Sequence, residues 1–214
     1  GKMKLIEMTL KTFIDEVDSG SPAPGGGSVS GLVSTLGVSL SKMVSHLTFN
    51  KRQYLAFDEE VRSEYEANFN TLNKVKEKLI PLVDKDTEAF NLIMEAFRLP
   101  RTTDEEKVLR SKQIESATIG AIEVPLEIVK LSYQALKIIG KMVTYGNKNA
   151  LSDIGVGCLL LYAGLEGAIF NVKINLNSLT NETDKTHFKD TVDVIQSEAI
   201  IIKDRILKYV NKHL

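Results

Sequence analysis

The residues that could do chemistry fall into a few short runs, the first being Asp84-Lys85-Asp86-Thr87-Glu88-Ala89-Phe90. On a helix Asp86 stands one turn from Leu82 and one turn from Phe90, so it shares their apolar face, while Glu88 points toward water. A carboxylate among apolar side chains is hard to ionise. Its pKa climbs from about 3.9 toward neutrality, where it can both take and give a proton. Asp86 is therefore a candidate general acid–base, although it also reads as a surface aspartate beside a bend at Pro81. A second run, Pro22-Ala23-Pro24-Gly25-Gly26-Gly27-Ser28, places three glycines at the mouth of an apolar segment. Lacking side chains, Gly25, Gly26 and Gly27 let a ligand reach the main chain, and the amides from Ser28 onward would face an anion or a polar ring. A flexible connector is the other reading of this loop.

Asn171 and Asn175 lie one turn apart beside Phe170, Val172 and Ile174, and such amides need partners, so they mark a buried polar network. Asn147, Asn149 and Asp153 gather around Gly146 as turn and cap residues. Lys51-Arg52 and Arg98-Leu99-Pro100-Arg101 are small basic clusters at expected helix ends, where the helix dipole favours cations with or without a ligand. His46, His187 and His213 are far apart and no CxxC or HExxH occurs, so no metal site is expected. Neither a GxSxG elbow nor a Walker loop is present. Cys158, set among Gly157, Leu159, Leu160 and Leu161, reads as a small core residue and not a nucleophile.

Long helices must position these groups. Leu10, Phe13, Ile14 and Val17 recur on one helical face after Thr9. The Pro/Gly loop ends that helix, and a second should run from near Ser28 to Thr48, with Val29, Leu32, Val33, Leu36, Leu40, Met43, Val44 and Leu47 as its apolar positions. Small residues fill its other faces, which suggests neighbours that approach closely. A third pattern spans about Tyr54 to Phe97, where Pro81 should kink or split it. Thr103-Asp104-Glu105-Glu106 has the form of a capping box and opens a helix toward Tyr145 that should bend at Pro125. Asn149 or Ser152 could cap the next helix, which runs to about Leu176. The last begins near Thr183 and carries a heptad-like seam through Phe188, Val192, Ile195, Ala199, Ile202, Ile206 and Tyr209. No convincing strand is found. The expectation is one all-α domain over residues 1–214, a single bundle of about six long, partly kinked helices.

The 214 residues are 43% hydrophobic and 26% charged, which excludes a disordered chain. With 27 Lys+Arg against 28 Asp+Glu, the basic excess of a nucleic-acid binder is missing, so no nucleic-acid partner is expected. A single cysteine forbids an intrachain disulfide and points to the cytoplasm. Glu7 interrupts any apolar leader, and the most apolar stretch, Ile154 to Leu165, is too short to cross a bilayer, so no membrane association is expected.

Taken in order, the Ser21-Pro22-Ala23-Pro24-Gly25-Gly26-Gly27-Ser28 loop, the Asp84–Phe90 run, Arg98-Leu99-Pro100, Val124-Pro125, Gly146-Asn147 with Ser152-Asp153, and Asn171-Val172-Lys173-Ile174-Asn175 resemble the cyclodeaminase/cyclohydrolase family. This family includes the C-terminal half of formiminotransferase-cyclodeaminase, and the likeness covers about residues 5–212. It implies an all-helical domain forming a homodimer or higher even oligomer. It also implies a tetrahydrofolate substrate, with polyglutamylation expected, and no further cofactor. Cyclodeamination of 5-formiminotetrahydrofolate to 5,10-methenyltetrahydrofolate and ammonia is the preferred reading. Cyclohydrolysis to 10-formyltetrahydrofolate is the alternative, and a non-enzymatic scaffold pairing through the last helix is the competing class. The resemblance makes Asp86 the catalytic residue. It places Gly25, Gly26, Gly27, Ser28, Asn147, Asp153, Asn171 and Asn175 near the folate, with Lys51, Arg52, Arg98 and Arg101 available for its carboxylate tail.

Overall fold

Few prolines and glycines interrupt the chain, and it uses the long runs between them as helices. A computed structural model describes residues 3–214, among which no strand occurs. The helices are α1 (Leu10–Val17), α2 (Gly26–His46), α3 (Arg52–Leu55), α4 (Glu59–Phe97), α5 (Asp104–Met142), α6 (Leu151–Leu176) and α7 (Glu182–His213). Five of them exceed twenty residues, close to the expected six. Single 3₁₀ turns lie at Leu5–Glu7 and Lys148–Ala150.

Several ends fall where their caps dictate. The Thr9 hydroxyl accepts the Thr12 amide at 3.1 Å and opens α1. The Thr103–Glu106 box is complete, with the two reciprocal bonds at 2.9 and 3.1 Å. Asn181 caps α7 through the Asp184 amide at 3.0 Å. Other expectations fail for identifiable reasons. Pro81 does not split α4. It removes one hydrogen bond on the exposed side, while Leu79, Leu82 and Val83 hold both flanks in the core. Neither Asn149 nor Ser152 caps α6. Asn147 caps the preceding turn instead, accepting the Asn149 amide at 2.9 Å, and α6 simply follows on.

The core gathers Leu72 and Leu79 of α4, Ile122, Ile128, Leu136 and Ile139 of α5, Leu161, Leu165 and Ile169 of α6, and Ile206 of α7. The expected seam on α7 faces inward: Val192, Ala199 and Ile206 are buried, and Phe188, Ile195, Ile202 and Tyr209 are half-buried against the core, where α7 packs on α5 and α6. It is therefore not a surface through which a scaffold could pair. The expected limit on apolar length also gives way. An 18-residue window within Lys148–Leu176 has a mean hydropathy of 1.5 and is apolar and long enough to cross a membrane by composition. Half of that window is buried in the bundle, where α6 packs on α2, α5 and α7.

α2 buries mostly small residues. Its buried positions include Gly27, Ser28, Gly31, Ser34, Gly37 and Ser41 with Val38 and the expected Val44, while Leu36 and Leu47 are exposed and Val29, Leu32, Val33, Leu40 and Met43 are half-buried. The cause is a close crossing with α6. A Cβ on Gly37 would stand 2.8 Å from the Gly157 carbonyl oxygen, and one on Gly157 would stand 2.9 Å from that of Gly37. Only hydrogen fits at both places, so the larger side chains of α2 turn outward. The buried hydroxyls find partners: Ser34 pairs with Ser132 at 2.7 Å, and Ser41 donates to the Gly37 carbonyl at 2.9 Å.

Candidate active site

The first turn of α2 meets the middle of α4. Ser28 is fully buried, and its hydroxyl donates to the Val83 carbonyl at 2.5 Å and pairs with Thr87 at 2.9 Å. This latch sets Asp86 against the main chain of Gly27. A Cβ on Gly27 would fall 2.2 Å from Oδ2 and 2.3 Å from Oδ1 of Asp86, so the carboxylate occupies the space that any other residue at 27 would need. Burial pushes the Asp86 carboxyl up to about 6, while the Ser28 main-chain amide, which favours the charged form, pulls it partly back. The sequence reading of Asp86 as desolvated holds. Leu82 is buried and Phe90 half-buried, but the close approach of α2 adds to the effect.

α6 supplies the facing wall. The Asn171 amide nitrogen lies 3.3 Å from where a Cβ on Gly26 would be, and it donates to the Gly167 carbonyl at 2.9 Å. Asn175 donates to the Asn171 carbonyl at 2.9 Å and to that of Ala121, on α5, at 3.3 Å. The pair is the expected polar network, and it joins α6 to α5 beside the glycine loop. Gly25, Gly26, Gly27, Ser28, Asp86, Asn171 and Asn175 are thus brought together at one end of the bundle.

Next to them is a cleft of about 520 Å³ between the Pro22–Pro24 loop, the N-terminal turn and the α4 stripe running from Thr87 to Arg98. Asp86 does not line it; its neighbour Thr87 does. Arg98, at the end of α4, is exposed at its far edge, and Arg101 is exposed in the following loop. Asp84 is occupied structurally: its two oxygens accept the Leu5 and Ile6 amides at 2.6 and 3.3 Å. Glu88 is exposed, as expected.

The remaining expected site residues are elsewhere. Asn147 donates its side-chain amide to the Leu47 carbonyl at 2.9 Å, and its main-chain amide reaches the Thr48 hydroxyl at 2.9 Å. Both bonds lie at the far end of α2, a helix of 21 residues and so about 30 Å long. Lys51, Arg52, Lys148 and Asn149 line a separate cleft of about 340 Å³ there, and Asp153 lies in the first turn of α6 at that same end. Within one chain, then, the Gly146–Asp153 turn and Lys51 do not join the Asp86 group. Sequence order could not show this, because only the antiparallel run of α6 along α2 places the two turns apart. Thr87 and Lys148 were not singled out, although both stand inside runs that were. His46 is exposed and packs its ring edge-on to Phe69 at 5.1 Å. Cys158 is buried, with its thiol pushed up to about 12 by burial.

A half-buried carboxylate, a glycine-lined helix entrance and two asparagines thus stand at one end of an all-helical bundle. The family profile described as formiminotransferase-cyclodeaminase matches residues 9–194. Methenyltetrahydrofolate cyclohydrolase of Methylorubrum extorquens is 31% identical over 202 residues, covering 94% of this chain and 95% of that protein. Formimidoyltransferase-cyclodeaminase of Mus musculus is 34% identical over 190 residues, but the match takes in only 34% of that longer protein. Among solved structures, formiminotetrahydrofolate cyclodeaminase from Thermotoga maritima superposes with a TM-score of 0.77 at 28% identity, over 97% of this chain and 96% of that one. The chain belongs to the formiminotransferase-cyclodeaminase family.

Proposed function

We propose that the protein is a formiminotetrahydrofolate cyclodeaminase, closing 5-formiminotetrahydrofolate to 5,10-methenyltetrahydrofolate with release of ammonia. The observation that carries this reading is the Asp86 carboxyl, held against Gly27 with its pKa raised to about 6. Ring closure needs a group that accepts one proton and returns it. N10 attacks the formimino carbon, made electrophilic by the proton on the formimino nitrogen, forming the C–N10 bond, and the Asp86 carboxylate removes the N10 proton. The resulting carboxylic acid then delivers that proton to the amino group on the tetrahedral carbon. The C–N bond breaks, ammonia leaves, and the methenyl cation and the Asp86 carboxylate remain. An ordinary aspartate is too weak a base and too rarely protonated at neutral pH to do both steps well, whereas one near 6 can alternate. The glycine main chain and the Asn171 amide beside it support this reading as polar groups that could meet the edges of a pterin ring.

A second reading has its own support. The cyclohydrolase of Methylorubrum extorquens matches along nearly its whole length. In that reaction Asp86 would take a proton from water as it adds to the methenyl carbon and return it to N5 as the C–N5 bond breaks, while the new hydroxyl loses its proton to solvent and becomes the formyl oxygen. Incubating the purified chain with each folate separately, while following ammonia and the methenyl absorbance, distinguishes the two. Ammonia release from the formimino substrate supports the first reading. Methenyl loss without any formimino turnover supports the second. Neither reaction above the uncatalysed rate would refute both.

A further inference from the structure

The latch between α2 and α4 fixes where its protons lie as well as where Asp86 stands. The Ser28 hydroxyl and the Val83 carbonyl oxygen are 2.5 Å apart. Two oxygens stand that close only with a proton between them, and a carbonyl has none to give, so Ser28 is the donor. A hydroxyl carries one proton. The 2.9 Å contact between Ser28 and Thr87 is therefore donated by Thr87. That bond takes the only proton of the Thr87 hydroxyl. Whatever this oxygen offers a ligand is a lone pair.

The arrangement depends on Ser28. A threonine inside a helix often turns its hydroxyl back to the carbonyl four residues earlier. Thr35, Thr71, Thr118 and Thr191 all do so, at 2.7, 3.1, 2.7 and 2.8 Å. For Thr87 that carbonyl is Val83, which the Ser28 hydroxyl already holds, and Thr87 bonds Ser28 instead. Ser28 also joins Thr87 to Asp86, because its main-chain amide bonds the Asp86 carboxylate. One residue thus holds both side chains beside each other. Thr87 lines the cleft of about 520 Å³ next to Asp86, where Glu16, Asp84, Glu88 and Glu95 outnumber Lys4 and Arg98. That field favours a cationic donor over a carbonyl oxygen.

We propose that Thr87 determines specificity for the one-carbon unit: its oxygen accepts an N–H of the formimino group and, with no proton free, rejects a formyl oxygen at the same place. This deepens the cyclodeaminase reading and rests on it. Formimino and formyl groups have nearly the same shape and differ in a protonated nitrogen against an oxygen at one end. A hydroxyl with a free proton would accommodate either by rotating. One whose proton is committed inward separates them, since an acceptor set against an acceptor leaves both unpaired. The N–H stays on the nitrogen from the bound substrate to the tetrahedral carbon, so the bond contributes to binding more than to the chemical step.

Three variants test it, with ammonia release from 5-formiminotetrahydrofolate as the assay and 5-formyltetrahydrofolate as a competing ligand. Thr87→Val keeps the branched shape and removes the oxygen. It should raise KM for the formimino substrate about 10–100-fold, the range of a hydrogen bond to a charged group, while the inhibition constant of the formyl compound holds or falls. Thr87→Ser keeps the hydroxyl and should keep a near-wild-type KM. Ser28→Ala frees the Val83 carbonyl, so Thr87 turns back to it; this variant should match Thr87→Val, and the double variant should be no worse than either alone. The acid limb of kcat/KM, which Asp86 sets at about 6, should stay in place in Thr87→Val. A formyl inhibition constant that rises in parallel with KM, equal losses in Thr87→Val and Thr87→Ser, or additive losses in the double variant would overturn the proposal. A displaced acid limb would also overturn it, by putting the defect on Asp86. Wild-type turnover with an unchanged Thr87→Val removes only the role of Thr87. Absence of wild-type ammonia release removes the reaction, and that role with it.

Discussion

Replacing Asp86 by Asn should make the protein more stable and nearly inactive at the same time. The carboxyl is raised from 3.8 to about 6 because the fold strips water from its charged form. Folding is therefore opposed by the cost of keeping that charge. At about 1.36 kcal/mol per pKa unit the full shift corresponds to about 3 kcal/mol. Asp86 is only half-buried, so residual water lowers the expected gain to about 1–3 kcal/mol. The sign follows from proton counting. As pH falls below 3.8 the carboxyl becomes protonated in both folded and unfolded chains, and the variant should approach the wild type. Between 4 and 6 the folded chain holds more protons than the unfolded one, so wild-type stability falls as pH rises, and above 6 the whole penalty is present. An amide has no charge to desolvate. For a chain of this size the melting temperature of Asp86→Asn should exceed wild type by roughly 2–10 °C at pH 7.5 and coincide with it at pH 3.5. Turnover should fall on the order of 10²–10⁴-fold, the usual contribution of a general acid–base. Calorimetry at the two pH values with kinetics at one tests both halves. A variant equally destabilised at both pH values would show that the carboxylate is a structural anchor, and the catalytic argument would fail with it.

The packing around this residue gives three more expectations. Gly27→Ala places a methyl inside the Asp86 carboxylate, so kcat should drop at least ~10²-fold with a stability loss of about 1–3 kcal/mol; a variant with normal turnover would mean that the carboxylate has no fixed position. Ser34→Ala leaves the buried Ser132 hydroxyl without its partner and should cost about 1–3 kcal/mol in urea unfolding, while the Ser34→Ala/Ser132→Ala double variant should recover part of that loss. Cys158, with its thiol at about 12, should react with an aromatic disulfide reagent about 10³-fold more slowly in the folded chain than in guanidinium; equal rates would contradict its burial.

The helices and the catalytic candidate were legible because they rest on local chemistry. Caps such as Thr9 and the Thr103–Glu106 box act within four residues, and the desolvation of Asp86 begins with Leu82 and Phe90 on its own helix. Features that depend on distant partners were not legible. The apolar positions of α2 look like a core stripe in sequence, yet apart from Val44 they stay partly or fully exposed and the glycine-and-serine face is buried, because Gly157 lies against Gly37. The apolar stripe of α1 misleads in the same way: Leu10 and Ile14 are 79% and 61% exposed. The α7 seam has the spacing of an interchain contact but meets α5 and α6 of its own chain. Asn147 read as a turn residue, and it is one, but its bonds to Leu47 and Thr48 fix which end of the molecule it occupies.

The Gly37–Gly157 crossing also has a consequence in time. Its two halves are 120 residues apart (157 − 37), so α2 cannot find its main neighbour until α6 has been made. At a synthesis rate of about 5–20 residues per second, the interval is roughly 6–24 s. Over that interval α2 has only α4 and a few residues of α5, such as Ser132, to settle against. Its C-terminal half can engage Tyr65, Phe69 and Asn73 as soon as they emerge, and its N-terminal turn can then engage Val83 and Thr87. The end that carries Lys51 can thus meet its α4 partners on the ribosome first, whereas the catalytic end stays open until Asn171 has been made.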